Sequence, residues 1–151
     1  MRVCYVTTQA VSRDGWSRYT VEVALGARRA GIEPVLVTAN PQVDPGLADC
    51  EHHVLLPNLF QGRATTLRTL LLAPQLRHIL DRCDVVHCPV ELYAPLVAAA
   101  APHRMPFVLS VFGSWAIRPL ETPLSRLVFA PAFRRADLLL SISGYTRDWL
   151  A

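Results

Sequence analysis

The sequence predicts a doubly wound α/β fold, with a mainly parallel sheet and helices on both faces. Short apolar, β-branched segments alternate with helical segments along all 151 residues, as in chains built from β-α-β units. The segments Arg2–Thr7 and Glu33–Thr38 are apolar on both sides, which is typical of parallel strands covered on both faces. The length fits one domain, spanning residues 1–151.

The first β-α-β unit is complete. A strand at Arg2–Thr7 leads into a loop that contains Asp14-Gly15, a pair typical of turns. Ser17 is a suitable N-cap for the following helix, and Gly31 comes just past its predicted end. The second strand, Glu33–Thr38, ends before Asn40-Pro41.

The same alternation continues to the last residue. The predicted segments are a strand at His53–Leu56, a helical region from about Ala64 to Arg82 interrupted by Pro74, a strand at Asp84–Cys88, a helix near Leu92–Ala101, a strand at Pro106–Phe112, a helix at Leu124–Arg135 and a strand at Asp137–Ile142. Ser143 is predicted to cap a last helix, inside which the sequence stops. We therefore expect a fragment of a longer protein.

Composition excludes several classes of protein. Hydrophobic residues make up 52% of the chain against 18% charged residues, unlike disordered chains. The four cysteines lack C-x-x-C spacing, so no metal site is predicted. All fifteen basic residues are arginine, and the net charge of +3 is modest and dispersed, so a nucleic-acid partner is not expected. Neither a membrane-spanning run nor a signal peptide is predicted, which indicates a cytoplasmic protein.

Ligands of open α/β sheets bind beyond the carboxyl ends of the strands. The residues that follow the predicted strands are therefore the candidates for a site: Gly15, Trp16, Arg18 and Tyr19; His87 and Glu91; Gly113, Ser114, Trp115 and Arg118; Ser143 and Tyr145. Gly15, just before a helix, would let a diphosphate approach the helix N-terminus. An ordinary turn glycine explains it equally well, and the fingerprints of dinucleotide and P-loop sites are absent.

The aromatic and histidine side chains at these strand ends each have two interpretations. Trp16, Trp115 and either Tyr93 or Tyr145 offer flat faces for a sugar or apolar acceptor if exposed, although aromatic residues more often pack. His87 follows a strand at a position suited to a general base, although a buried histidine in a structural hydrogen bond is the commoner outcome. The other histidines are expected in loops or on helix surfaces: His52, His53, His78 and His103.

Taken together, the segments resemble the N-terminal domain of family 4 glycosyltransferases, which have the GT-B fold of two facing Rossmann-like domains. The resemblance covers nearly the whole chain. Its carriers are Arg2–Thr8 with Asp14-Gly15-Trp16-Ser17-Arg18-Tyr19; Asp84-Val85-Val86-His87; Ser110-Val111-Phe112-Gly113-Ser114; and Arg135-Ala136-Asp137 through Ser141-Ile142-Ser143-Gly144-Tyr145-Thr146.

The resemblance implies transfer of a sugar from a nucleotide-sugar donor to a carbohydrate, lipid-linked or small-molecule acceptor, with retention of configuration and without a metal or other cofactor. Gly15, Trp16 and Arg18 would lie near the donor diphosphate. The other candidates would line the acceptor cleft, with His87 as the catalytic candidate. Because the family's donor-binding domain is absent from this sequence, we expect this half to be inactive alone and to expose an apolar interface.

Two positions depart from the family's usual pattern. Asp14-Gly15 stands where the family often has Gly-Gly, and Phe112-Gly113 where it often has His-Gly. That histidine lies beside the reacting sugar in the family, and phenylalanine has no hydrogen-bonding group. The change implies a different sugar, a different contact or impaired catalysis. The alternatives to a transferase are a stand-alone sugar- or nucleotide-binding or accessory module, and another GT-B enzyme such as a nucleotide-sugar epimerase.

One segment also suggests a membrane surface. Gln61–Arg82 contains four arginines among many leucines, and its one acid is Asp81, a composition that suits an anionic lipid surface. Pro74 and the scattered arginines spoil a clean amphipathic face, so an ordinary half-buried helix is favoured over peripheral membrane contact.

Overall fold

The computed structural model describes residues 1–58 and 65–150, and the side chains of 65–67 are not described. The strands are β1 (Arg2–Val6), β2 (Glu33–Thr38), β3 (Glu51–Val54), β4 (Val85–Cys88), β5 (Phe107–Val111) and β6 (Leu138–Ser141). The helices are α1 (Gly15–Arg29), α2 (Thr65–Leu70), α3 (Ala73–Leu80), α4 (Ala94–Ala100), α5 (Ser114–Glu121), α6 (Pro123–Arg135) and α7 (Gly144–Leu150). Short 3-10 turns lie at Pro45–Leu47 and Glu91–Tyr93.

The described strands form one parallel sheet in the order β3-β2-β1-β4-β5-β6. The order reverses direction between β1 and β4, which are direct neighbours although half of the chain separates them. This is the doubly wound arrangement that the sequence predicts, and its reversal point opens a crevice at the carboxyl ends of β1 and β4.

Each face of the sheet packs against its own helices. Cys4 and Val6 of β1 point into the larger core with α3, α4 and α6, whereas Val3 and Tyr5 point to α1. The strands are apolar on both sides because both sides are covered, as the sequence predicts. On the face of the sheet that packs against α1, one row of paired residues crosses four strands. Tyr5 is paired with His87, His87 with Val108, and Val108 with Leu138.

The N-cap of α1 is Asp14, so the prediction of Ser17 as the cap is wrong. Asp14 Oδ1 accepts a hydrogen bond from the Ser17 amide at 2.9 Å, and Ser17 Oγ accepts one from the Asp14 amide at 3.0 Å. Ser17 is therefore the third helical residue of a capping box. Asp14 rather than Ser17 is the N-cap because the helix already includes Gly15 and Trp16 and therefore begins earlier than predicted.

Two further boundaries differ from the sequence expectation. β3 begins at Glu51 rather than at His53, the predicted start of this strand, and it therefore includes His52, which was expected in a loop. His52 Nε2 lies 2.7 Å from Thr38 Oγ1 on β2, so a polar cross-strand contact holds a strand that lacks apolar periodicity. Helix α5 was not predicted, because Pro119 lies inside it and suggests a loop.

The edge of the sheet that β6 forms is apolar and exposed. Leu138 and Leu140 of β6 lie on the α1 face, 50% and 37% exposed, because α1 does not extend over this edge. Such an edge strand is a ready surface for association. None of the helices that the structure describes is long and apolar enough to cross a bilayer.

Candidate functional site

The crevice at the sheet's reversal point is formed by the loops that follow β1, β4 and β5. The loop after β1 ends at Gly15, the one after β4 turns at Glu91, and the one after β5 turns at Gly113. Together they bring most of the sequence-predicted candidates to one end of the sheet. Ser143 and Tyr145 follow β6, two strands from the reversal point.

An aspartate already occupies part of the anion-binding end of α1. Asp14 Oδ1 accepts from the Ser17 amide, and Oδ2 accepts from Gln9 Nε2 at 2.7 Å. A Cβ added to Gly15 would meet no atom within 4 Å, so the backbone is open to a ligand there. An incoming diphosphate would lie beside the Asp14 carboxylate, whose like charge opposes it.

Three aromatic rings line a small pocket beside Gly15. Trp16, Phe112 and Trp115 surround a cavity of about 260 Å³, with Asp14 and Gly15 on its remaining side. The Trp16 ring packs edge-on against Trp115 and Phe112, at centroid separations of 5.5 and 6.4 Å. Trp115 is 41% exposed, so part of its ring is accessible to a sugar or apolar group.

The loop after β5 needs a glycine for its backbone conformation. Gly113 has φ 56° and ψ −125°, and it caps α5. Residues that carry a Cβ rarely adopt this backbone conformation, whereas glycine does so without steric cost. The turn starts α5 directly beyond Phe112, so that Ser114, Trp115 and Arg118 lie on its exposed side.

Glu91 is fully buried and joins two of the site's loops. Its Oε1 accepts a hydrogen bond from the Phe112 amide at 2.9 Å, which ties the turn after β4 to the end of β5. Burial raises the pKa of Glu91 to about 7, and hydrogen bonds from backbone amides, that of Phe112 among them, oppose part of that rise. The side chain positions the loop from beneath rather than lining its surface.

His87 lies beneath α1 in a chain of side-chain hydrogen bonds. Its Nε2 is 2.8 Å from Ser110 Oγ, which is 3.0 Å from the Tyr19 hydroxyl. The rings of Tyr5 and Tyr19 lie 5.5 and 6.1 Å from the imidazole. Burial lowers the pKa of His87 to about 4, so the ring is neutral at physiological pH. A catalytic role for His87 stays a prediction, and its surroundings suit a positioning role.

Two arginines at the crevice are available to an anion. Arg18 on α1 and Arg118 on α5 are exposed, and neither forms an ion pair with a carboxylate of the described residues. Arg118 follows Trp115 by three residues, so both share one face of α5. A guanidinium beside an aromatic face suits a phosphorylated or otherwise anionic sugar.

Ser143 has a structural role at the last helix. Its Oγ accepts from the Thr146 amide at 3.2 Å, which confirms the predicted N-cap of α7. Tyr145 is well exposed. Within the described part of the chain, no three His, Cys, Asp or Glu side chains are grouped so as to hold a metal ion; metal-independent chemistry remains a prediction.

Sequence reasoning missed the capping role of Asp14 and the place of Ser110 in this site. Asp14 was treated as a turn residue, although an aspartate three residues before a serine is a capping signal. Ser110 is the one polar residue of β5, and it bonds both His87 and Tyr19. A lone hydroxyl in an otherwise apolar buried strand is the signal that could have found it.

Several solved glycosyltransferases have a similar fold. The lipopolysaccharide outer core galactosyltransferase WaaB aligns with a TM-score of 0.62 and 12% identity, over 99% of this chain and 42% of its own. A glycosyltransferase from Rickettsia africae ESF-5 aligns at 0.57 and 15%, over 99% and 38%. An alpha-glucosyltransferase in complex with UDP and DNA aligns at 0.56 and 15%, over 95% and 37%. This chain thus spans about two fifths of their length.

At the level of sequence, no curated protein matches the chain. The profile of Glycosyltransferase Family 4 matches residues 13–151, which include every candidate site residue. Its match starts just before Gly15 and takes in the loops after β4 and β5. The alignment with about two fifths of each matched glycosyltransferase is consistent with one half of a GT-B fold. The chain belongs to glycosyltransferase family 4.

Proposed function

We propose that this chain is the acceptor-side half of a glycosyltransferase that moves a sugar from a nucleotide-sugar donor to an acceptor held in the crevice at the sheet's reversal point. The observation that carries the proposal is the family match over residues 13–151, which includes the start of α1 and the loops after β4 and β5 that form the crevice. The similar structures are about two and a half times as long, which leaves room for a donor-binding half. We propose that this half faces the crevice.

The nucleotide-sugar donor is supported by what the similar structures hold. One alpha-glucosyltransferase is in complex with UDP-glucose, and another with UDP. In this chain Arg18 and the open backbone at Gly15 would meet the donor diphosphate, where positive charge stabilises the leaving group as it departs. We propose retention of configuration and no metal, as the family resemblance implies.

The acceptor would bind against Phe112 and Trp115, next to Trp16 on the donor side of the same pocket. Their rings offer apolar faces that stack on a sugar. Arg118, which follows Trp115 by three residues on α5, is exposed and suits an anionic group. A carbohydrate, lipid-linked sugar or small glycoside fits this description. Some similar structures contain DNA, whereas the dispersed arginines of this chain favour an acceptor other than nucleic acid.

The test is donor hydrolysis and transfer by the protein expressed together with the rest of its coding sequence. A panel of nucleotide-sugars is offered, and nucleotide release is measured for the wild type and for Arg18→Gln, with the exposed Arg29→Gln as the matched control. We expect release with one donor, lowered at least tenfold by Arg18→Gln and unchanged by Arg29→Gln. The absence of release with every donor would reject the transferase.

A stand-alone or accessory sugar-binding module is the second candidate, and Phe112 favours it. The side chain has no hydrogen-bonding group, and it packs at 5.2 Å from the Tyr19 ring. Binding of sugars without turnover, measured by calorimetry on the same protein, would support that candidate. A nucleotide-sugar epimerase would instead convert the donor without an acceptor, and product analysis in the same assay separates it from a transferase.

A further inference from the structure

The outer face of α6 is apolar although it is exposed. Leu124 and Leu127 are 78% and 75% exposed. With Pro131 they follow one another at spacings of three and four residues, which places them in one stripe along the helix. The opposite face of the same helix is buried in the core. A surface helix normally carries polar residues on its outer face. The exposed leucines of α6 therefore form a second apolar face that makes no contribution to the core.

The stripe continues onto the neighbouring helices. A shallow groove of about 450 Å³ runs along the surface between α6 and its neighbours α2 and α4. Leu70 lies on one wall, and Leu127 and Pro131 lie on the other. Leu71, which follows Leu70, is 75% exposed at the turn between α2 and α3. Leu124, Leu127 and Pro131 are called the leucine patch below.

The rim of the leucine patch is positively charged. Arg126 and Arg134 flank Leu127 and Pro131 in a second hollow of α6. Both are exposed, and neither forms an ion pair with a described carboxylate. Helix α6 contains no acidic residue. The neighbouring acid is Glu121, which shares a pocket with the two arginines, so cations outnumber acids on this rim.

The structure also shows which arginines of Gln61–Arg82 are unavailable. Arg77 pairs with Asp81 at 2.9 Å, and Arg82 pairs with Glu51. Arg68 on α2 is exposed and is not in an ion pair with a described residue, whereas Arg63 lies outside the described residues. The sequence interpretation placed the membrane-binding arginines in Gln61–Arg82. In the structure, the exposed arginines beside the leucine patch are instead those of α6, Arg126 and Arg134.

The leucine patch lies at the same end of the molecule as the crevice. A helix that joins two parallel strands runs opposite to them, so the first turns of α6 lie at the carboxyl end of the sheet. These turns carry Leu124 and Leu127. A flat surface bound there would lie beside the candidate site rather than at the far end of the domain.

We propose that the leucine patch and its arginines dock on an anionic lipid bilayer. The leucines would enter the interface between headgroups and acyl chains, and Arg126 and Arg134 would bind lipid phosphates. Self-association through this face is disfavoured, because a two-fold pair would bring the arginines of both copies together. The inference does not depend on the transferase activity.

The test is flotation of the protein with vesicles of phosphatidylcholine alone or mixed with phosphatidylglycerol. We expect flotation with the anionic vesicles only, weakened by added salt. Replacing both leucines, Leu124→Ser with Leu127→Ser, should abolish it. Arg126→Gln with Arg134→Gln should weaken it about fivefold per arginine.

Two matched controls separate this surface from general stickiness. Leu138→Ser removes an exposed leucine of β6, and Arg29→Gln removes an exposed arginine of α1 on the opposite face; both should float like the wild type. Circular dichroism checks that each variant is folded. No flotation of the wild type with anionic vesicles, equal flotation of all variants, or a dimer that the leucine variant dissociates without vesicle binding would each overturn the proposal.

Discussion

Two buried titratable side chains beside the crevice, His87 and Glu91, have pKa values displaced in opposite directions. Burial disfavours the charged form of each, which lowers the pKa of His87 from 6.5 to about 4 and raises that of Glu91 from 4.5 to about 7. Their effects on stability therefore oppose one another. His87 destabilises the fold as pH falls from 6.5 towards 4, and Glu91 destabilises it as pH rises from 4.5 through 7.

Replacing Glu91 by glutamine should remove the second effect and keep the acceptor for the Phe112 amide. Between about pH 5 and about pH 8, the wild type should lose on the order of 3 kcal/mol of unfolding free energy relative to Glu91→Gln. The His87 effect is common to both proteins and cancels in the difference. Urea unfolding at each pH measures it, with the exposed Glu22→Gln as control. A difference that does not change with pH would contradict the assignment.

Gly113→Ala should destabilise the protein, because alanine rarely adopts φ 56°. The space is open around the added Cβ, so the cost is that of the backbone conformation, roughly 1 to 3 kcal/mol. Gly15→Ala is the matched control, since its added Cβ is equally open and its φ is not positive. Thermal unfolding of both variants compares them, and equal melting temperatures would show that the turn relaxes without strain.

At the scale of elements, one carboxylate decides where α1 starts and what its N-terminus offers a ligand. Asp14 satisfies the Ser17 amide and fixes Gln9, and both contacts hold the loop after β1. The same carboxylate would repel an anion that approached Gly15. If Gly15 meets the donor diphosphate, as we propose, Asp14 stabilises the helix at the expense of diphosphate affinity.

Asp14→Ala should lower the unfolding free energy by about 1 kcal/mol, because a capping side chain is lost. Asp14→Asn keeps an oxygen for the Ser17 amide and removes the charge, so it should cost less stability and bind a nucleoside diphosphate more tightly. Denaturant unfolding and calorimetry on the complete protein measure the two effects. Weaker diphosphate binding by the asparagine variant would show that the carboxylate does not oppose the ligand.

At the scale of the whole molecule, the apolar edge of the sheet that β6 forms is exposed to solvent in this chain. Leu138 and Leu140 on the α1 face predict concentration-dependent self-association. Leu138→Lys with Leu140→Lys should reduce it, because charged side chains block edge pairing. Light scattering across concentrations measures the change, with Arg29→Gln as control. Equal scattering by both proteins would place the association elsewhere.

Much of the fold could be predicted from sequence, whereas the site could be predicted only as a set of strand-end residues. Periodicity located β1, β2, β4 and β5 because their apolar runs are continuous. It misplaced β3, since the contacts that hold His52 come from another strand. Helix α5 was missed because proline signals a break, yet packing against α6 retains it.

By itself, the sequence determined the doubly wound class, the parallel sheet and the family, because these depend on local apolar patterns and short motifs in order. Only the tertiary structure decided the environments of the site residues. It placed His87 under Tyr19 and Ser110, and Glu91 beneath Phe112. The physical reason is that burial, pKa and hydrogen-bond partners are set by residues far apart in the chain, which the spacing of residues along it does not record.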